Sequence, residues 1–253
     1  MSGDHLRRLP LYLSAPSECG YLPGRSSRSL FVDPDARMTV QLYSQLIHKG
    51  FRRSGGVVYR PECDGCSQCL SARVPVARFH MRRRFQRVLK ANRDLELVQR
   101  SASFTASHYA LYRRYLGSRH ADSGMAGSSP ADYSSFLISA WSDTHFLEIR
   151  RQGRLMGVAV TDQVLDGLSA VYTFFDPDEP QRSLGTYAIL AQLELCRRLG
   201  LPYLYLGYWI RDCGKMRYKA DFRPLQLFSG GDWREFGADE AIEVRELPGD
   251  RTP

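Results

Sequence analysis

The sequence predicts an α+β protein in which a larger domain, built on an antiparallel sheet, follows a smaller N-terminal domain that carries cysteines. Three strand-like runs separated by short turns precede one long helix and a further strand, an order typical of α+β domains. Four of the six cysteines lie before residue 80, in a stretch rich in turn residues. A chain of 253 residues is long enough for two such domains. We therefore predict domains at 1–80 and 81–235, and an acidic C-terminal tail at 236–253.

The elements follow from the spacing of apolar residues. Helical spacing predicts helices at 38–49, 82–95, 105–116, 131–141 and 183–199. Apolar runs predict strands at 57–59, 145–150, 155–161, 168–175, 203–206 and 224–228. Gln152-Gly153 and Asp166-Gly167 are typical of short hairpin turns. A meander, a long helix, a strand and a C-terminal return form the element order of the GNAT-type acyltransferase fold, although other α+β domains share that order.

The charge of the chain is concentrated in one stretch. Between Arg73 and Arg100 nine basic residues face only Asp94 and Glu96, a local net of +7 in a chain whose formal charge is +8. This distribution favours a polyanionic partner. No apolar run approaches the roughly 18 residues that a membrane-spanning helix needs, and no signal peptide is evident. We therefore expect a cytoplasmic protein without a membrane partner.

Three cysteines are spaced as metal ligands often are. Cys63, Cys66 and Cys69 form a C-x2-C-x2-C run, and Cys19 lies in another turn-rich stretch as a fourth candidate. Two-residue gaps allow thiolates to converge on one ion, so we expect zinc or an iron–sulfur cluster, between which the spacing does not choose. The alternative is that reduced thiols brace a small domain without metal. Cys196, on the apolar side of a helix, is expected in the core.

The helix predicted at 82–95 is basic around most of its circumference. Its cations outnumber the neighbouring carboxylates, so local ion pairs cannot neutralise them, although a solvated face is the alternative. Arginine side chains bind phosphate in a bidentate manner, and a row of them can follow a nucleic-acid backbone. We expect contacts with the RNA backbone rather than with base edges. The candidate residues are Arg82, Arg83, Arg84, Arg87, Lys90 and Arg93.

The start of the long helix partly matches a phosphate-binding loop. GNAT acetyltransferases carry an R/Q-x-x-G-x-G/A loop whose backbone amides hold the pyrophosphate of coenzyme A. Arg182 and Gly185 match this pattern, but Tyr187 stands at the third position, where a bulky side chain should obstruct pyrophosphate. Ser183 is the predicted N-cap of the helix. A coenzyme A-dependent acetyltransferase therefore stays open as an alternative function.

Several blocks of the sequence resemble the bacterial aspartate/glutamate leucyltransferases, which are relatives of the arginyl-tRNA–protein transferases. The likeness runs from about residue 10 to 235, and its most specific parts are Tyr205–Ile210 and Lys215–Lys219. It implies a GNAT-like catalytic domain that transfers leucine from leucyl-tRNA to the N-terminal Asp or Glu of proteins, which marks them for degradation by the N-degron pathway. The other matching blocks are Cys19–Arg25, the Cys63/Cys66/Cys69 run, Arg82–Asp94 and Ser183–Gly185.

The implied chemistry needs few groups. The aminoacyl ester of tRNA is already activated, so no soluble cofactor is expected beyond aminoacyl-tRNA itself. The protein must hold a neutral α-amine, aim it at the ester carbonyl and stabilise the developing oxyanion. An acidic acceptor also requires a cation in its pocket. Candidate catalytic residues are Asp176, Tyr208, Lys215 and Lys219; acceptor-binding candidates are Arg25, Arg28 and Arg217; Ser183 and Gly185 join the basic helix as candidates for binding aminoacyl-tRNA.

Some of these assignments carry alternatives. Lys215 and Lys219 are four residues apart, so on a helix they would share one face. Asp176 either accepts the proton of the amine or only begins a turn, and Phe174 is expected in the core. For each candidate cation, a solvated surface charge is the alternative. For the whole protein, arginyl-tRNA as donor and a non-catalytic RNA-binding role also stay open.

Overall fold

The computed structural model describes residues 9–119 and 127–243. Its N-terminal part holds a four-stranded antiparallel sheet of order β1-β4-β6-β5 and a two-stranded ribbon of β2 and β3. The helix predicted at 38–49 is confirmed, and Thr39 caps it by accepting a hydrogen bond from the amide of Leu42. The elements are β1 Leu11–Leu13, β2 Ser17–Glu18, β3 Ser26–Ser27, β4 Ser29–Val32, α1 Val40–His48, β5 Arg52–Ser54 and β6 Val57–Pro61.

The rest of the described chain is built on an eight-stranded sheet of order β14-β13-β7-β12-β11-β10-β9-β8. All its neighbouring strands are antiparallel except β11 and β12, and the predicted three-strand meander is confirmed. The elements are β7 Leu70–Pro75, α2 Arg83–Ala91, β8 Glu96–Ser101, α3 Ala106–Arg119, α4 Pro130–Leu137, β9 Asp143–Arg151, β10 Arg154–Val164, β11 Gly167–Phe175, α5 Leu184–Leu199, β12 Tyr203–Trp209, α6 Gly214–Arg217, β13 Leu225–Ser229 and β14 Asp232–Phe236.

Strand β7 connects the two parts of the chain. It lies between β13 and β12, and all six of its residues are buried. Because β7 precedes residue 80, the large sheet draws strands from both sides of the predicted domain boundary. Leu70, Ala72 and Val74 alternate with Ser71 and Arg73, as in a strand with one exposed face. The fold instead buries both polar residues, Arg73 against Gln226 and the ring of Tyr203, which the sequence did not predict.

Two predicted helices end earlier than expected. Helix α2 stops at Ala91, and residues 96–101 form the edge strand β8 beside β9. Helix α4 stops at Leu137, so Trp141 lies outside it and donates a hydrogen bond to the carbonyl of Gly56. In both cases strand pairing or a tertiary contact overrides the local helical spacing.

The sheet is covered on both faces. Adjacent residues of β9 point in opposite directions: Phe146 packs in the cluster that contains α3 and α4, and Leu147 packs in the one that contains the start of α5. The predicted core positions of Phe174 and Cys196 are confirmed, since both are fully buried. Helix α1 packs against Val164 and Tyr205, so the N-terminal part joins the face opposite α5.

Candidate active site

The two parallel strands of the sheet separate at one point. Strands β11 and β12 pair only between 167–169 and 203–205. Beyond Tyr205, β12 continues along β7 through a register shift at Gly207, whose φ of 70° is the left-handed conformation that glycine adopts without strain. A small cleft at the separation, with room for about one water molecule, is lined in part by Arg52, Ser71, Ser169 and Gly207. Parallel strands that stop pairing leave an opening into which an extended ligand can insert.

Lys219 lies at this opening and is almost entirely buried. Its side chain is 6% exposed, and Nζ donates to the carbonyl oxygen of Tyr208 and lies 3.2 Å from the sulfur of Met216. Burial, followed by the charge of Arg52, lowers the pKa of Lys219 from 10.5 to about 7. Near neutral pH much of this lysine is therefore uncharged, which is the form that can accept a proton.

Arg52 is the residue at this opening that the sequence did not single out. Its Nε donates to the hydroxyl of Tyr59 at 2.7 Å and its Nη2 to the hydroxyl of Tyr21 at 3.1 Å. The guanidinium also stacks on the ring of Tyr208, with Cζ 4.6 Å from the centroid. A signal existed in the sequence, because Tyr21 and Tyr208 both belong to blocks that resemble the leucyltransferases.

The other predicted catalytic residues have different surroundings. Tyr208 is 1% exposed, and burial raises its pKa well above 10, while its hydroxyl lies against the carbonyls of Gly50 and Tyr59 at 3.2 and 3.3 Å. Lys215 is exposed on α6. The prediction that Lys215 and Lys219 share a helix face is wrong, because α6 ends at Arg217 and a 3-10 turn carries Lys219 into the interior.

Asp176 begins the turn after β11 and is bound by arginines. Its carboxylate is fully buried and accepts hydrogen bonds from Arg114 at 2.6 Å and from Arg154. The backbone amide of Asp178 also donates to it at 3.2 Å. Both carboxylate oxygens are thus engaged with guanidinium groups, an arrangement that favours the turn-forming role over the role of proton acceptor.

The four N-terminal cysteines lie near one another around the end of β12. Cys19, Cys66 and Cys69 pack in an apolar cluster with Leu22 and Ile210. Burial, followed by the other three thiols, raises the pKa of Cys69 to about 12. Within residues 9–119 and 127–243, no three His, Cys, Asp or Glu side chains are arranged to hold a metal ion. The metal or cluster on Cys19, Cys63, Cys66 and Cys69 stays a prediction.

Two of the predicted acceptor-binding arginines contact this cysteine region. Arg25 Nη1 lies 3.5 Å from the sulfur of Cys66, and Arg28 pairs with Asp64 at 3.2 Å. The third, Arg217, is exposed at the end of α6, where its carbonyl accepts a hydrogen bond from the indole of Trp209 at 3.3 Å. Arg28 therefore already has a carboxylate partner of its own.

Helix α2 presents a basic surface. Phe85 is the buried residue of the helix, and it stacks on Phe222 with ring centroids 4.8 Å apart. Arg84 pairs with Asp221 at 2.8 Å, and Arg82 donates to the carbonyl of Ala238 in the predicted acidic tail. The other four cations are exposed and have no carboxylate partner in the described part of the chain: Arg83, Arg87, Lys90 and Arg93.

The end of α2 is joined to the start of α5. Arg182 binds Asp94 at 2.8 Å and Glu179 at 3.2 Å, and the side-chain amide of Asn92 donates to the carbonyl of Arg182 at 2.8 Å. These contacts place the predicted Ser183 and Gly185 next to the basic surface. They also engage the arginine that a coenzyme A pyrophosphate would use.

Two details at the start of α5 differ from prediction. Ser183 occupies the N-cap position in a left-handed conformation with φ of 49°, and its side chain makes no capping hydrogen bond in the part of the chain that the structure describes. Tyr187 does not cover the start of the helix, because its ring is buried in the cluster that contains Ile149 and Met156.

A basic helix beside a buried lysine at separated parallel strands is an arrangement suited to acyl transfer from a nucleic-acid-linked donor. Family models identify the class: one described as the N terminus of arginine-tRNA-protein transferase matches residues 17–87, and one described as its C terminus matches residues 107–229. Aspartate/glutamate leucyltransferases of Alkalilimnicola ehrlichii and Alcanivorax borkumensis are 52% and 50% identical to this chain over 91% of it, and over 97% and 95% of their own lengths. The chain belongs to the aspartate/glutamate leucyltransferase family, as the resemblance predicted.

Two solved structures are more distantly similar. The C-terminal domain of a putative lysylphosphatidylglycerol synthetase from Agrobacterium fabrum has a TM-score of 0.42 and 14% identity, over 67% of this chain and 51% of that one. The L-PGS of Bacillus licheniformis has a TM-score of 0.43 and 12% identity, over 67% and 49%. Separately, no helix in the described part of the chain is both long and apolar enough to cross a membrane.

Proposed function

We propose that the protein transfers leucine from leucyl-tRNA to the α-amine of proteins that begin with Asp or Glu, and so marks them for degradation by the N-degron pathway. Membership of the leucyltransferase family over nearly the whole chain carries this proposal. Arginyl-tRNA is the alternative donor, since the matching family models describe arginine transferases. We place the reaction in the cytoplasm, where aminoacyl-tRNA is found, without a membrane partner.

We also propose a GNAT-type fold for the catalytic part. The antiparallel strands β9, β10 and β11 are followed by α5 and by β12, which is parallel to β11 and separates from it after three residue pairs. This arrangement supports the element order that the sequence predicted. The cleft at the separation is where we place the reacting groups.

The proposed reaction needs no covalent intermediate with the protein. The acceptor's α-ammonium loses one proton to Lys219, and the neutral amine attacks the ester carbonyl carbon of leucyl-tRNA. A C–N bond forms, the bond to the ribose oxygen breaks, and the second amine proton leaves with the ribose hydroxyl. Because the ester is already activated, the reaction uses no soluble cofactor beyond aminoacyl-tRNA. No step involves a metal, and a zinc ion or cluster at the four cysteines is proposed only as a structural group.

The donor docks, in this proposal, along α2. The exposed cations of that helix contact tRNA phosphates, and the start of α5 at Ser183 and Gly185 continues that surface towards the cleft. Lys215 and Arg217, exposed on α6, are further cations near Lys219. Contacts of this kind position an RNA by its backbone, so the aminoacyl group rather than the base sequence would decide which tRNA is used.

The test uses purified protein, labelled leucyl-tRNA and labelled arginyl-tRNA, and peptides that begin with Asp, Glu or Ala. We expect leucine to appear on the Asp and Glu peptides only. Arginine on the same peptides would keep the reaction and change the donor. If neither label moved while tRNA still bound, the catalytic proposal would be rejected in favour of an RNA-binding role.

A further inference from the structure

We infer that Arg52, together with the space left by the missing side chain of Gly207, forms the subsite that binds the side-chain carboxylate of the acceptor's N-terminal Asp or Glu. The inference rests on the proposed function for the identity of its ligand. The subsite itself rests on three observations: an arginine that no carboxylate of the described residues neutralises, a gap beside it, and the amine of Lys219 on the other side of that gap.

The first observation concerns the partners of Arg52. Its hydrogen bonds go to the phenol hydroxyls of Tyr21 and Tyr59, and its face lies on Tyr208. Within the described ranges no carboxylate pairs with it. A half-buried guanidinium is always charged at physiological pH, and neutral hydroxyls orient that charge without neutralising it. The tyrosines therefore hold the guanidinium in place and leave the charge for a ligand.

The second observation is the space at Gly207. A Cβ at this position would lie 3.8 Å from Arg52 Nη1 and 4.0 Å from Lys219 Nζ, and apart from its two chain neighbours no other described residue would come within 4 Å. One point in the cleft is thus about 4 Å from the guanidinium of Arg52 and from the amine of Lys219, and no side chain of residue 207 fills it. The left-handed φ of Gly207 provides the turn that brings this point towards both side chains.

The position of the gap favours a carboxylate of the acceptor over a phosphate of the donor. The tRNA backbone has its own surface on α2, whereas the gap lies beside Lys219, the proposed proton acceptor. In an N-terminal Asp or Glu, only two or three carbon–carbon bonds separate the α-carbon that carries the amine from the side-chain carboxylate. A carboxylate at Gly207 therefore keeps the amine within a few ångströms of Lys219, as general base catalysis requires. The planar guanidinium fork of Arg52 matches the two oxygens of that carboxylate.

The experiment compares Arg52→Gln, Arg52→Lys and wild type on peptides that begin with Asp, Asn, Glu or Gln. We expect Arg52→Gln to lower kcat/KM for the Asp and Glu peptides by roughly tenfold to a hundredfold, the worth of a charge-assisted hydrogen bond. The rates with Asn and Gln peptides and the KM for leucyl-tRNA should stay unchanged. Arg52→Lys keeps the charge but loses the fork, so it should retain part of the preference for acidic acceptors.

Arg60→Gln is the matched control, because it removes the same charge from the neighbouring strand β6 at a residue already paired with Glu62 at 2.9 Å. It should leave the acidic preference intact. Thermal unfolding of each variant checks that it folds.

Equilibrium binding of the Asp and Asn peptides, measured without tRNA, separates the two proposals. If wild type binds the Asp peptide through Arg52 but transfers nothing, the proposed function fails and the subsite stands. If Arg52→Gln keeps the wild-type preference for Asp over Asn in both assays, the subsite is overturned.

Discussion

The two neighbouring arginines of β5 meet opposite surroundings. Arg53 is fully buried, and its Nε and Nη2 lie 2.5 and 2.6 Å from the two oxygens of Asp162, which is also fully buried. Its remaining donors reach the carbonyl of Gly55 and the hydroxyl of Thr144, both at 3.1 Å. Arg52 points to the other face of the strand, into the cleft, where its hydrogen bonds go to tyrosine hydroxyls.

The difference shows that Arg53 has a structural role, whereas the charge of Arg52 remains available to bind a ligand. Arg53 joins the N-terminal sheet to β10 through a complete set of partners, and in low dielectric such a pair is stable only when every donor is satisfied. Arg52 has no such carboxylate among the described residues, at a place where strands separate. The same contrast distinguishes Arg84, paired with Asp221, from Arg83, Arg87 and Lys90 of α2, which pair with no carboxylate of the described residues.

The largest expected effect on activity comes from Lys219, which lies in the cleft beside Arg52. Lys219→Met should lower the rate of leucine transfer to an Asp peptide by about a hundredfold to ten-thousandfold, because it removes the proposed proton acceptor. Leucyl-tRNA affinity, measured by filter binding, should not change. Single-turnover transfer from preloaded leucyl-tRNA is the measurement.

Lys219→Arg serves as the control for charge, since arginine keeps a cation in place but does not release its proton. We expect it to be as inactive as Lys219→Met. An active Lys219→Arg enzyme would show that the residue contributes charge rather than proton transfer.

The next largest effect concerns Arg53 and the free energy of unfolding. Arg53→Met leaves the buried carboxylate of Asp162 without its cation, and breaking a buried pair in this way costs about 3–5 kcal/mol of unfolding free energy. Denaturant unfolding measures the change. The surface pair of Arg60 and Glu62 gives the reference: Arg60→Gln should cost no more than about 1 kcal/mol. Equal losses in the two variants would contradict a structural role for Arg53.

An effect of similar size concerns pH. The unfolded chain keeps the proton of Lys219 up to its ordinary pKa of 10.5, whereas the folded protein releases it near pH 7. Between these values the unfolded state binds more protons, so this residue makes the stability rise with pH, and the gain is lost as pH falls towards 7. Subtracting the unfolding free energy of Lys219→Met from that of wild type at each pH isolates the contribution. A flat difference between pH 7 and 10 would show that Lys219 has an ordinary pKa in the folded protein.

The sequence predicted the elements whose pattern is local. The three-strand meander, α1, α3 and α5 follow from hydrophobic period and turn residues, and all of them are present. Strand β7 and the shared sheet were not predicted, because Ser71 and Arg73 indicate an exposed face, whereas the fold buries both. Of the site, Lys219 was predicted as a cation, but its burial depends on the turn after α6. Arg52 was missed because its importance lies in the groups that surround it, which only the assembled fold brings together.

The weakest expected effect tests whether the distinction between paired and unpaired cations extends to α2. Replacing Arg83, Arg87 and Lys90 with alanine removes three exposed cations that have no carboxylate partner in the described residues. Removing one phosphate contact should lower the magnitude of the slope of log K against log salt by about one, so the slope for tRNA binding should flatten by about three. The matched control replaces three arginines that each pair with a carboxylate, at positions 78, 197 and 234. This control variant removes the same net charge from other surfaces. Its salt dependence of tRNA binding should stay close to that of wild type. If both triple variants changed the slope equally, tRNA would respond to the overall charge of the protein, and α2 would not be its docking surface.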